Sequence, residues 1–253
     1  MIPQIAYCKV AIAPVRHENS DRAEMVTQLL FGELVDILDI TEKWWKIQTL
    51  TDNYVGWIDP KQVRKLSKKE ASRWSDGLTY LTENTIPIVT PWGSQIIVKG
   101  SFVPFGVEDD FLIGNDEFKV LSPISKPRLQ SPVELATEYL NAPYLWGGKS
   151  PFGIDCSGLT QQVFRFLDIN LPRDAAQQLE FGIEIDFNEI QSGDLAFFAN
   201  ENGSIIHVGI LIDNQTIIHA SGQVRTDAFD KTGIIHYSNE FHTHFLHTIK
   251  RMI

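Results

Sequence analysis

Cysteine is nearly absent from this chain: 253 residues carry two, Cys8 and Cys156. A chain of this length builds its core without a disulfide staple, so the pair reads as two separate thiols. Cys8, in the strand-like run Ala6-Tyr-Cys-Lys-Val10, reads as a small buried hydrophobe. Clustered basic charge is missing too. The formal net charge is −10, and the densest basic stretch, Lys61 to Lys69, reads as a solvated linker face. Nucleic acid is thereby excluded as a partner, because binding phosphates requires clustered Lys and Arg. No apolar window approaches a membrane span, and no membrane partner is expected. The opening residues Met1 to Cys8 have neither a basic n-region nor an apolar h-region, and Tyr7 is a poor residue to precede a lipidated cysteine. The expected address is cytoplasmic. His236, His242, His244 and His247 invite a metal, but no Cys or closely spaced carboxylate pair completes a four-ligand site. Neither metal nor cofactor is expected.

What is present is an ordinary globular composition, 43% hydrophobic and 21% charged, in a chain long enough for one large domain or two to three small ones. Residues 1–66 read as all-β. Leu34 to Ile37, Trp44 to Ile47 and Tyr54 to Ile58 are short aromatic and β-branched runs, punctuated by Gly32, Asp52-Asn53 and Asp59-Pro60. Residues 67–126 repeat the style less clearly, with Ile86 to Val89, Gln95 to Val98 and Phe118 to Leu121, and end in the linker Ser122 to Pro127. From 127 to 253 helices are followed by strands, the α+β pattern. Ser131-Pro-Val-Glu134 is a capping box that predicts a helix from 132 to about 141, with an apolar stripe of Val133, Ala136 and Leu140. A second helix opens near Cys156 and a third at Asp174. Strands are expected over 194–198, 205–212, 216–220 and near 245–250.

The chemistry concentrates where Cys156 opens a helix. A thiolate is the useful nucleophile, and a helix N-terminus beside an imidazole favours it. Two strand-borne histidines, His207 and His219, are the imidazoles available. A two-residue turn at 213–214 would pair His207 with Ala220 and place the histidines on opposite faces. A three-residue loop over 212–214 would pair His207 directly with His219, their Cβ atoms roughly 4.5–5.5 Å apart on one face. Asn214 would take the left-handed conformation ending that loop. Ile206, Val208, Ile210 and Ile212 would then face the core, and Gly209 would leave room beside the imidazole for the helix. In that arrangement Cys156 is the nucleophile, His207 the base and His219 the residue orienting it. The Cys156 backbone N–H and the Tyr144 hydroxyl are candidate oxyanion donors. Each residue also has a plainer reading. A lone Cys at a helix start usually serves packing, Asp155 reads equally as the N-cap bonded to Gly158, and Tyr144 and Trp146 as core aromatics. The combination favours catalysis.

Several motifs come in one family's order. Pro143-Tyr-Leu-Trp-Gly-Gly148, Ser150-Pro-Phe-Gly-Ile-Asp-Cys-Ser-Gly158, Leu171-Pro-Arg-Asp174, Gly193-Asp-Leu195, His207-Val-Gly209 and Ile218-His-Ala-Ser-Gly222 closely resemble the NlpC/P60 cysteine peptidases. The resemblance implies a circularly permuted papain-like fold, cleavage of bacterial cell-wall peptides, and the same roles for Cys156, His207 and His219. Thr27 to Glu33, Trp44 to Gln48 and Tyr54 to Trp57 resemble a bacterial SH3-like (SH3b) domain, followed by a second, diverged one. That order resembles the γ-D-glutamyl-L-diamino acid endopeptidases of the YkfC type, which act on murein stem peptides with a free N-terminal L-Ala. By this resemblance Glu24 and Tyr54, with Asp155 and Ser157, hold the amine, a chemically sensible set for an ammonium. Ala175 stands where some relatives place Ser, which removes one possible substrate hydrogen bond. The implied function is peptide hydrolysis in murein recycling. Three rivals remain: a wall hydrolase acting on intact peptidoglycan, a wall-binding protein on an inactive peptidase scaffold, and an acyl transferase on the same fold.

Overall fold

A computed structural model describes residues 4–125, 128–236, 238 and 241–252. Lys126 and Pro127, where the sequence places its last domain boundary, lie outside the described residues. The chain divides into two compact units: residues 1–128 with 149–151, and residues 129–148 with 152–253.

The N-terminal unit begins with seven strands, β1 (Gln4–Cys8), β2 (Ile12–Arg16), β3 (Met25–Leu30), β4 (Leu34–Ile40), β5 (Trp45–Thr49), β6 (Val55–Ile58) and β7 (Val63–Leu66). They form one sheet in the order β3-β2-β6-β5-β4-β1-β7. Ala13, Val15, Leu29, Val35, Ile47 and Ile58 alternate inward and fill its core together with Cys8, which is buried and unbridged. Gly56 lets β6 reach β2, since a Cβ there would lie 2.4 Å from Val15 Cγ1. The basic stretch at 61–69 is solvated, with its Lys and Arg side chains exposed, but it is not a linker: it supplies β7 and the first turn of helix α1 (Lys68–Ser75). Ser67 and Glu70 cap that helix reciprocally, and its Trp74 is buried with Nε1 donating to Gly32 O at 2.7 Å.

Six further strands follow: β8 (Leu78–Tyr80), β9 (Thr85–Thr90), β10 (Gly93–Val98), β11 (Phe102–Pro104), β12 (Asp110–Ile113) and β13 (Asp116–Val120). They make a four-stranded sheet, β10-β9-β13-β12, and the ribbon β11-β8. Their apolar face packs with Tyr7, Phe31 and Leu34 in one core, so the two small β regions are fused rather than strung apart. Glu33 and Lys149, both fully buried in this unit, pair at 3.2 Å, and Glu33 also accepts from Thr51 Oγ1 and the Leu30 N–H.

The C-terminal unit opens with α2 (Pro132–Thr137), capped by the expected Ser131–Glu134 box. The helix is shorter than the predicted 132–141. It ends in turns, with Asn141 at φ 67, and Tyr139 rather than Leu140 reaches the core. Helices α3 (Cys156–Arg165) and α4 (Ala175–Gln178) follow, and all ten residues of α3 are buried. The remaining chain is β14 (Ile183–Glu184), β15 (Leu195–Ala199), β16 (Ile205–Leu211), β17 (Thr216–Ser221), β18 (Gln223–Asp230), β19 (Gly233–Ile235) and β20 (His242–Arg251). Their order is β14-β20-β15-β16-β17-β18-β19, and β19 also pairs with β20, which closes the sheet into a ring. One face packs on α2 and α3 through Leu195, Phe197, Val208, Ile210 and Ile218. The other holds a separate core of Phe198, Leu211, Ile217, Phe229 and Ile249. The architecture is α+β with a β-rich SH3-like N-terminal region, as expected. Strands β18 and β19 were not anticipated.

Candidate active site

Cys156 is the first residue of α3, and Asp155 is its N-cap, accepting the Gly158 N–H at 2.7 Å. The preceding turn is built for close approach. Gly147 sits at φ 78, and a Cβ on Gly158 would lie 2.2 Å from Gly148 O. Glycines are required where backbone meets backbone at that range. Asp155 ties the arrangement together. Its Oδ2 accepts from the Gly147 N–H at 2.7 Å and from Arg173 Nη2 at 2.6 Å, and its Oδ1 from Arg173 Nη1 at 2.9 Å. Arg173 Nη1 also donates to Ser157 Oγ at 2.9 Å. The carboxylate and hydroxyl that the resemblance assigned to a substrate amine are therefore already bonded to a buried arginine. Tyr144 is half-buried, close enough to Cys156, Asp155 and Arg173 for their charges to act on its hydroxyl.

The Cys156 sulfur meets the backbone of Val208, next to His207 on β16. His207 Nε2 lies 2.8 Å from His219 Nδ1, and His219 Nε2 lies 3.0 Å from Asp227 Oδ2. Neither register predicted for these strands occurs. The loop is 213–215, closed by the Ile212 N–H donating to Thr216 O at 2.9 Å, its corner made by Asp213 Oδ1 accepting from the Gln215 N–H at 2.8 Å, and Asn214 has no positive φ. The pairing is Ile210 with Ile218 and Leu211 with Ile217. Continued, it sets His219 opposite Gly209, so the two imidazoles meet diagonally. Gly209 makes this possible, because a Cβ there would lie 3.0 Å from His219 Cβ and 2.7 Å from Ile217 Cδ1. The room at Gly209 thus serves His219 and not the helix. Ile206 is 53% exposed instead of in the core.

The sequence reading gave Arg173 and Asp227 no role and weighed His244 only as a metal ligand. Arg173 lay in a quoted motif, Pro172-Arg-Asp174, but carried no role. Asp227 sits on β18, a strand the pattern had not marked. His244, on β20, stacks on His207 with ring centroids 4.3 Å apart and planes at 30°. Its neighbour His242 pairs with Asp230 at 2.9 Å. Among the described residues no group of three or more His, Cys, Asp and Glu side chains is arranged to hold a metal, and no helix is long and apolar enough to cross a membrane. Glu24 and Tyr54 belong to the N-terminal unit. Glu24 is exposed just before β3, and Tyr54 is half-buried, its N–H donating to Thr49 Oγ1 at 2.8 Å.

Residues 141–243 match the NlpC/P60 family. The chain carries an NlpC/P60 domain. Residues 15–63 match the bacterial dipeptidyl-peptidase Sh3 domain. The chain is 27% identical over 230 residues to a gamma-D-glutamyl-L-lysine dipeptidyl-peptidase of Bacillus cereus, spanning 80% of this chain and 68% of that protein. It is 27% identical over 245 residues to dipeptidyl-peptidase 6 of Lysinibacillus sphaericus, spanning 83% and 86%. The fold is similar to the crystal structure of an NlpC/P60 family protein from Bacillus cereus ATCC 10987, with a TM-score of 0.80 at 20% identity, covering 98% of this chain and 99% of that one. With its cysteine and paired histidines in an NlpC/P60 domain, the chain is a cysteine peptidase.

Electrostatics in the NlpC/P60 domain oppose the thiolate expected from the helix N-terminus. Burial, and then the Asp155 charge, push the Cys156 thiol up to about 12, against the Val208 and Ser157 backbone hydrogen bonds and Arg173. Burial, and then His219 and His244, hold His207 well below the usual imidazole range. Both shifts favour the neutral thiol and the neutral imidazole over the charged pair. Burial likewise lowers His244 to about 4. Unfolded histidines protonate near 6.5, whereas these stay neutral when folded, so stability falls as pH drops below about 6.5. For His207 the expected slope is about 1.4 kcal/mol per pH unit, down to its depressed native value. Urea midpoints at pH 7 and pH 5 check this: the pH 5 midpoint should be lower, and equal midpoints would contradict it.

Proposed function

We propose that this peptidase hydrolyses the bond between γ-D-Glu and the L-diamino acid in L-Ala-γ-D-Glu-L-diamino acid peptides of the bacterial cell wall. The observation that carries the reading is the buried Cys156, set beside the His207–His219 pair in an NlpC/P60 domain behind an SH3-like domain. Relatives aligned along most of this chain are named for γ-D-glutamyl-L-lysine chemistry. His207 Nε2 is bonded to His219, so the proposed proton acceptor is His207 Nδ1. His207 takes the Cys156 proton as sulfur attacks the γ-carbonyl carbon. The Cys156 backbone N–H and the Tyr144 hydroxyl stabilise the oxyanion. The imidazolium then protonates the departing amine of the diamino acid, leaving a thioester, which water hydrolyses with His207 again as base.

The same proposal includes a requirement for a free N-terminal L-Ala and a role in recycling soluble wall fragments in the cytoplasm. Arg173 already neutralises Asp155, so a carboxylate other than Asp155 has to balance the ammonium.

The test is mass spectrometry of L-Ala-γ-D-Glu-meso-diaminopimelate beside its N-acetylated counterpart. Release of L-Ala-γ-D-Glu from the free-amine peptide alone is the expected result. Cleavage of both would remove the amine requirement and favour a wall hydrolase. Cleavage of neither would overturn the reading in favour of a wall-binding protein.

A further inference from the structure

The hydrogen bonds behind His207 form a directional chain that ends in a charged pair. His207 Nε2 is 2.8 Å from His219 Nδ1, His219 Nε2 is 3.0 Å from Asp227 Oδ2, and Asp227 Oδ1 accepts from Arg225 Nη2 at 2.7 Å. Asp227 is buried along with both histidines. Burial raises its carboxyl, but the His219 and Arg225 hydrogen bonds outweigh that and hold it below the usual range. An ionised carboxylate only accepts hydrogen bonds. Opposite it, His219 must therefore carry its proton on Nε2, which leaves a lone pair on Nδ1. That lone pair faces His207 Nε2, so His207 carries its proton there and keeps Nδ1 as a lone pair. A neutral imidazole has one donor and one acceptor, so one acceptor at the end of the chain sets both rings.

We infer that Asp227, held in place by Arg225, is a positioning residue that sets the tautomer of His219 and through it makes His207 Nδ1 the base. This rests on the proposed cysteine mechanism only for its kinetic consequence, since the tautomer itself is observable without substrate.

The geometry makes an unusual demand on the variant Asp227→Asn. Arg225 donates, so the asparagine turns its carbonyl to Arg225 and its amide NH2 to His219 Nε2. His219 must then accept at Nε2 and carry its proton on Nδ1, which forces His207 to accept at Nε2 and carry its own proton on Nδ1. Polarity inverts along the chain with little change of shape, and the base is lost. Removing the arginine donor as well, in Asp227→Asn/Arg225→Leu, frees the asparagine to turn its carbonyl to His219 and restores the original polarity.

The experiment combines long-range proton–nitrogen NMR of the histidines with kinetics on the free-amine peptide. NMR in the Cys156→Ala background should show His207 Nδ1 unprotonated when Asp227 is present, protonated with Asp227→Asn, and unprotonated again in the double variant. In the Cys156 enzyme, kcat should fall about 10²- to 10⁴-fold with Asp227→Asn, the scale of a wrong-tautomer base. The double variant should regain at least about tenfold of it, given that each restored proton-transfer partner is worth 10² or more. A merely structural Asp227 predicts a double variant no better than the single one, and that result would overturn the inference. So would a protonated His207 Nδ1 with Asp227 intact, a measurement that does not depend on any variant of Asp227 folding. Failure of the unmodified enzyme to cleave the peptide would instead count against the proposed substrate, leaving the tautomer result to stand or fall separately.

Discussion

Cys156→Ala is expected to abolish cleavage of the proposed free-amine peptide, with kcat/KM falling by about 10⁴-fold or more while the fold persists. The size follows from the role: removing a nucleophile removes the covalent route, and what survives comes only from binding and oxyanion contacts. The fold persists because the sulfur takes part in no disulfide and packs at the end of a core that also contains Leu159, Val163, Phe197 and Val208. Its replacement by a methyl group costs about 1 kcal/mol, the scale of one buried heavy atom. Mass spectrometry of the released dipeptide, beside a thermal melt of both proteins, separates lost chemistry from lost folding. Undiminished cleavage by the variant would sink the mechanism and with it the assignment of His207 as base.

Arg173→Ala has the largest expected effect on stability. Arg173 and Asp155 are 1% and 5% exposed and make two short hydrogen bonds to each other. Truncating the arginine leaves the Asp155 charge buried with only the Gly147 and Gly158 N–H groups and Ser157 about it. Breaking a buried pair from one side costs about 3–5 kcal/mol, which for a chain of this size lowers Tm by about 10 °C. The same loss loosens the turn at Gly147-Gly148 and the start of α3, so kcat falls as well. Removing both charges, in Asp155→Asn/Arg173→Met, should cost less than Arg173→Ala alone, because no charge is then stranded. Denaturant titrations of the three proteins decide it. Were the double variant the least stable, the pair would be contributing net attraction beyond its desolvation cost.

The site was legible in part because its chemistry is local. Cys156 at a helix start, Gly-rich approach on both sides and two histidines on successive strands are features of short segments, and the structure places all of them as secondary structure requires. The register between those strands was not legible. It turned on where the corner falls, and the Asx turn of Asp213 set a three-residue corner at 213–215, one residue beyond the expected 212–214. Asp227 was missed for a related reason: its strand alternates buried and exposed residues without the aromatic and β-branched run that marks β15 or β17. The helix over 132–141 was overextended because Leu140 continued an apolar stripe, whereas Tyr139 had the larger surface to bury and the chain turned to bury it.

The sequence by itself determined the elements that depend on neighbours a few residues away. These are the capped starts of α2 and α3, the small β region ahead of the α+β one, and the segments that carry Cys156, His207 and His219. Tertiary structure alone decided what depends on groups far apart in the chain. It fused the two N-terminal β regions through one core around Tyr7, Phe31 and Leu34, and it bound the Asp155 carboxylate to Arg173. It also brought Asp227 behind His219 and His244 onto the face of His207. The physical reason is range. Capping and periodicity act over one or two turns of chain, while burial, charge pairing and tautomer choice depend on which residues are enclosed together.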